Sequence, residues 1–231
     1  MSTTSTTSTT STASAASAPV LPAALLCDMD GTLVDTERDW LATLAELLTA
    51  HGAAADDTAL RPFAGLPLED AAALVAERTG LPADSTADQL GEAFLARVRA
   101  GVTVQPGALP LLDGARALGI PVALVTASER VVADLVLDTL GHHRFTCSIA
   151  HGEAPHGKPH PAPYLTAARR LGVPPEDCVA LEDTPTGAAS ALAAGCRVVA
   201  VPTVPGIQEG PRTFVVSSLT QVDLTRLPPA R

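Results

Sequence analysis

Four short groups of residues carry the chemistry open to this chain. Asp28 and Asp30 stand two apart at the end of an apolar run, Ala23-Ala24-Leu25-Leu26-Cys27. Side chains alternate along extended backbone, so both carboxylates point to one side if the strand geometry continues. Carboxylates that close repel, which implies a cation or a shared proton. Gly31 then permits a sharp departure or a close approach of backbone to ligand. Taken alone, Asp-x-Asp-Gly is equally compatible with a plain turn. The second group is Val125-Thr126-Ala127-Ser128, where a predicted strand passes into a helix. Open amides at a helix start attract anions, phosphate above all. Thr126 adds a hydroxyl, and Ser128 reads as the helix cap.

The third group is Gly157-Lys158-Pro159. Lys158 is the single lysine of a chain that otherwise uses arginine. Its compact charge suits phosphate. The fourth is Leu181-Glu182-Asp183-Thr184, an acidic pair closing another apolar run. Thr184 is expected to cap the next helix while Asp183 binds metal. Hard oxygen ligands beside phosphate donors point to magnesium. Positioning and charge neutralisation are what phosphoryl transfer requires.

These groups need a scaffold that brings them to one edge. Short, continuously apolar runs at 23–27, 120–125 and 178–181 suit strands covered on both faces. Further strands are expected at 197–201 and 214–216. Helices are expected from Ser128 to about Leu140 before Gly141, from Pro161 to Leu171 before Gly172, and from Thr184-Pro185 to Gly195. The alternation argues for an α/β fold, a Rossmann-like, doubly wound, mostly parallel sheet. Ligands bind such sheets beyond the carboxyl ends of the strands, where all four groups would meet.

Residues 36–103 break the alternation. Three amphipathic stretches, Thr36–His51, Leu68–Thr79 and Thr86–Ala100, follow one another with no strand between. They read as an inserted α-helical cap, with hinges near 34–36 and 102–107. The catalytic core is then 23–35 plus 104–231. Thirteen of the first 17 residues are Ser or Thr, so 1–22 read as a disordered tail.

Composition narrows the function classes. A formal charge of −10 disfavours nucleic acid and anionic membrane as partners. No apolar run reaches the roughly 18 residues of a membrane helix. Four separated cysteines without a CxxC pair read as buried thiols of a reducing cytoplasm. His142, His143, His151, His156 and His160 match no zinc spacing and read as solvated loop residues. A small phosphorylated metabolite is the expected partner, and the chain is expected to be cytoplasmic and a monomer or weak dimer.

The segments DMDGTLVDT, VTAS, GKPHP and LEDTPTG, in this order, resemble the four motifs of the haloacid dehalogenase-like hydrolase superfamily. The resemblance runs from about residue 23 to 205, and the insert after the first motif is similar to that family's helical cap. It implies that Asp28 is a nucleophile forming an aspartyl-phosphate and that Asp30 is the general acid and base. It implies that Thr126 and the Ala127 amide hold phosphoryl oxygens and that Lys158 offsets charge. Magnesium would be held by the side chains of Asp28 and Asp183 and the main-chain carbonyl of Asp30. Glu182 would ligate it directly or through water. Asp30 favours phosphate over halide chemistry, since the dehalogenases of the family lack that aspartate. The expected activity is a magnesium-dependent phosphatase of phosphomonoesters. A sugar phosphomutase is the first alternative, but Trp40 stands where mutases carry a histidine, and no basic residue follows Gly65. A non-enzymatic phospho-acceptor is the second; its motifs come in a different order. Gly65 and Leu66, between cap helices, form a candidate specificity loop or an ordinary connection. Trp40, Phe63 and Leu66 read either as part of that site or as cap core.

Overall fold

The computed structural model describes residues 21–63, 66 and 68–227. Most of the Ser/Thr-rich stretch, residues 1–20, lies outside them, as does Gly65. Leu21 already packs against the core, and Pro22 is buried.

Six strands form one parallel sheet: β1 Ala24–Cys27, β2 Val122–Val125, β3 Cys147–Ile149, β4 Cys178–Glu182, β5 Arg197–Ala200 and β6 Thr213–Val215. Their order is β3-β2-β1-β4-β5-β6, so the winding reverses between β1 and β4. That crevice is where a sheet of this topology offers a binding site. β1, β2, β4 and β5 are buried at every position. Alternate residues feed two apolar clusters, Leu25 and Cys27 on one face, Ala24 and Leu26 on the other. The continuous apolar runs of the sequence are thus explained by burial on both faces.

Helices α5 Ala108–Ala117, α6 Arg130–Leu140, α7 Ala162–Leu171 and α8 Pro185–Ala194 complete the layers. α8 begins as expected, with Thr184 accepting from the Gly187 amide and Pro185 in the first turn. α6 does not. It starts at Arg130 after Glu129, and Ser128 is not its cap, because its hydroxyl is drawn to Asp30. Within these layers two elements escape the sequence pattern. α5 carries Pro110 and Gly114, which mask its periodicity. β3 is a three-residue edge strand, half-exposed over two of its positions.

Helices α1 Thr36–Ala50, α2 Asp57–Leu60, α3 Leu68–Thr79 and α4 Ala83–Ala100 follow β1. α4 begins three residues before the sequence pattern shows, because Ser85 and Thr86 tie their hydroxyls to the Pro82 carbonyl. Trp40, Leu44, Leu48, Phe63, Ala71, Val75 and Leu90 make a separate apolar cluster of this layer. Trp40 meets Phe94 edge to face at 5.5 Å. Leu66 packs against the same cluster. The two connections to the sheet run side by side: Val34 bridges Val104, Asp35 N–H donates to Thr103, and Gln105 N–H donates to Leu33.

Candidate active site

The four sequence groups converge at the carboxyl edge of the sheet. Asp28 directly follows β1, and its amide donates to the Leu181 carbonyl of β4 at 3.0 Å. Thr126 directly follows β2, pinned by its amide to Ile149 at 2.9 Å. Glu182 closes β4, and Asp183 follows it. Lys158 comes from the loop before α7, across a cis peptide bond to Pro159. That loop is held by Ser190, which donates to the His160 carbonyl at 2.6 Å, and by His160 Nδ1, which accepts from the Ala162 amide.

Asp28 and Asp30 have different surroundings. Asp28 is buried, and its Oδ1 accepts from Lys158 Nζ at 2.6 Å. Its Oδ2 is buried with no hydrogen-bond partner. Asp30 is half-buried and wrapped in hydroxyls. Thr36 donates to its Oδ1 at 2.5 Å, while Thr126 and Ser128 donate to its Oδ2 at 2.9 and 2.8 Å. The two aspartates have separate partners: one is paired to an ammonium, the other to three neutral donors. Thr36 opens α1, so the helical layer touches Asp30 directly.

Gly31 sits at φ +79° and turns the chain so that its amide reaches Val34. A Cβ there would run into the Asp183 carboxylate. Asp183 in turn accepts from Thr32 at 3.3 Å and from Thr203 at 2.5 Å. Glu182, fully buried, accepts Lys158 Nζ on Oε1 at 2.7 Å and also the Tyr164 hydroxyl on the same oxygen. Gly187 leaves room for that carboxylate in the first turn of α8.

Asp28, Glu182 and Asp183 each present an oxygen within 4.8 Å of the others. Burial pushes the Asp28 carboxyl well above the usual range; Lys158 opposes this, and Glu182, Asp183 and Asp30 add to it. Burial likewise pushes Asp183 up to about 6, against hydrogen bonding from Thr203. Burial would lower the Lys158 pKa, but Asp28 and Glu182 outweigh it and hold the ammonium charged. Ionised together, three carboxylates beside one ammonium would leave two negative charges uncompensated. A divalent cation would balance them, and the unpartnered Asp28 Oδ2 gives it an oxygen. The residues present thus fit magnesium.

Thr32, Thr36, Thr203, Ser128 and Tyr164 are site residues that the sequence patterns missed. Thr32 and Thr36 sit inside the first motif, a usable signal. Thr203 and Tyr164 carry none. Among the described residues no histidine joins a metal-binding group, and all five loop histidines are exposed.

The haloacid dehalogenase-like hydrolase family model matches residues 22–195. Hexitol phosphatase A of Escherichia coli K12 is 36% identical over 218 residues, 88% of this chain and 94% of its own length. Validoxylamine A 7'-phosphate phosphatase of Streptomyces hygroscopicus is 35% identical, covering 77% of this chain and 84% of its own. Among solved structures, Rhodobacter sphaeroides CbbY in complex with phosphate superposes with a TM-score of 0.72 at 26% identity, over 87% of this chain and 96% of that one.

Proposed function

Since the chain belongs to the haloacid dehalogenase-like hydrolase family and is a hydrolase of phosphoric monoesters, we propose that it dephosphorylates a small sugar or polyol phosphate through an aspartyl-phosphate on Asp28. The observation that carries this is Asp28 itself: a buried carboxylate at the sheet's switch point, 2.6 Å from a charged lysine, beside a second aspartate held by hydroxyls. Asp28 and Asp183 would hold magnesium by their side chains, joined by the main-chain carbonyl of Asp30. Bound magnesium would supply positive charge against the phosphoryl oxygens. Both Glu182 oxygens already face donors, Oε1 meeting Lys158 and Tyr164 and Oε2 meeting the Asp183 amide and Thr184, so it would meet magnesium through water while neutralising Lys158.

In the first step an Asp28 oxygen bonds to phosphorus as the ester P–O bond breaks. Asp30, protonated, gives its proton to the departing alkoxide. In the second step Asp30 takes a proton from water as that water attacks phosphorus, the bond to Asp28 breaks and phosphate leaves. Lys158 offsets charge on Asp28 and the phosphoryl group throughout. Thr126 would turn from Asp30 to a phosphoryl oxygen, with the Ala127 amide beside it. The helical layer acts as the cap of this site; its first residue, Thr36, already reaches Asp30. Closure of the layer would keep bulk water out until the alcohol has left.

Phosphate release from a panel of sugar, polyol, glycolate and nucleotide monophosphates, with magnesium and with chelator, tests the reading. The expected result is magnesium-dependent release, greatest with the sugar and polyol esters. Conversion of a sugar phosphate to its isomer without phosphate release would instead show a mutase.

A further inference from the structure

Tyr164 takes no part in the steps above, yet it is fully buried and directed at the centre of the site. It projects from the first turn of α7, behind Lys158. Its hydroxyl donates to Glu182 Oε1, the same oxygen that accepts Lys158 Nζ at 2.7 Å. The ammonium also lies 5.2 Å from the Tyr164 ring centroid. Lys158 Nζ is thus shared between Glu182 on one side and Asp28 on the other, at 2.7 and 2.6 Å. The backbone of the lysine loop is fixed separately, by Ser190 and by the His160 ring. What remains free to vary is how the ammonium divides itself between two carboxylates. A donor on Glu182 Oε1 draws off part of that oxygen's charge and weakens its hold on the ammonium. Without that donor, Glu182 would pull Lys158 towards itself and away from Asp28.

We propose that Tyr164 is a positioning residue: through Glu182 it sets the share of the Lys158 ammonium that reaches the nucleophile Asp28. The kinetic consequence rests on the phosphatase reading; the placement of the ammonium does not.

The sequence makes this readable. Tyr164 is the chain's single tyrosine and Lys158 its single lysine. Isotope-labelled lysine therefore gives one side-chain resonance, and a ring-fluorinated tyrosine replaces one residue. In the magnesium-free full-length protein, Tyr164→Phe moves the lysine resonance. Fluorinated tyrosine, a more acidic donor, moves it the opposite way. With magnesium, Tyr164→Phe lowers kcat roughly tenfold, the lower end of what loss of an outer-shell partner costs, while KM stays within about twofold. A lysine resonance unmoved by both changes would overturn the proposal. So would a loss of activity with the resonance unchanged, since that marks a packing effect. If Tyr164→Phe fails to fold, the fluorinated wild-type protein carries the test. If the wild-type protein releases no phosphate, the phosphatase reading fails while the resonance still decides the placement of the ammonium.

Discussion

At the scale of residues, the division of labour between Asp28 and Asp30 follows from what surrounds each. Asp28 is buried against one ammonium, and Asp30 is held by Thr36, Thr126 and Ser128. Asp30→Asn removes the transferable proton, and its amide nitrogen no longer accepts from the hydroxyls on that side. Turnover should fall about 10²–10⁴-fold, the usual loss on removing a general acid or base, with thermal unfolding little changed. Gly31 offers a second check. At φ +79° with the Asp183 carboxylate where a Cβ would go, Gly31→Ala should displace that carboxylate. The backbone strain alone costs about 1–2 kcal/mol. The variant should need more magnesium for half-maximal activity than wild type does. The acids, Thr126 and Lys158 were legible in the sequence because each stands beside a strand or helix signal. Thr203 was not, because a loop residue twenty positions beyond Asp183 reaches it only through the turn after β5. Tyr164 was not, because in sequence it is one more apolar-face residue of α7.

At the scale of elements, two serine and threonine positions that look alike act differently. Thr184 caps α8 through the Gly187 amide. Thr184→Ala should lower stability by about 1 kcal/mol, measured by denaturant unfolding. Ser128 reads as a cap in the sequence but donates to Asp30 instead. Ser128→Ala should leave unfolding within about 0.5 kcal/mol, as for a substitution that breaks no cap, and lower turnover. The opposite pair of results would restore Ser128 as a cap. Element types were legible wherever burial on both faces produced an apolar run, as in β1, β2, β4 and β5. They were illegible where a proline and a glycine interrupt the period, as in α5, or where three residues form an edge, as in β3. Three of the four helices of the helical layer were legible as amphipathic stretches; α2, a single four-residue turn, was not. The layer's contact with Asp30 through Thr36 was not, since that depends on how α1 leaves the sheet.

At the scale of the whole molecule, stability and function pull apart. The site gathers three buried carboxylates around one lysine. Burial raises Asp28 and Asp183 above their usual range, so keeping them ionised near neutral pH costs stability. A cation bound only by the folded state offsets that cost by mass action, about 2.7 kcal/mol at a hundred times its dissociation constant. Magnesium should therefore raise Tm in the wild-type protein and leave Tm of Asp183→Asn almost unmoved. Acid acts elsewhere. Arg130 holds Glu153 by two contacts of 2.7 Å, joining α6 to the loop beyond β3. The hydrogen bonds from Arg130 pull the Glu153 carboxyl below the ordinary glutamate range. A lowered folded pKa means the pair's contribution is fully present above the unfolded pKa and is lost as pH falls through the folded pKa. Glu153→Gln should thus flatten the stability profile only at and below the ordinary glutamate range.

The covalent step on Asp28 is the centre of the account, and acid-quenched turnover tests it most directly. Protein mixed with magnesium and a sugar phosphate labelled on the phosphoryl group would be quenched during turnover and digested. Label is expected on the peptide that contains Asp28, absent with chelator and absent in Asp28→Asn, which should also release no phosphate. Phosphate release by Asp28→Asn at the wild-type rate, or turnover that leaves no label on that peptide, would contradict it.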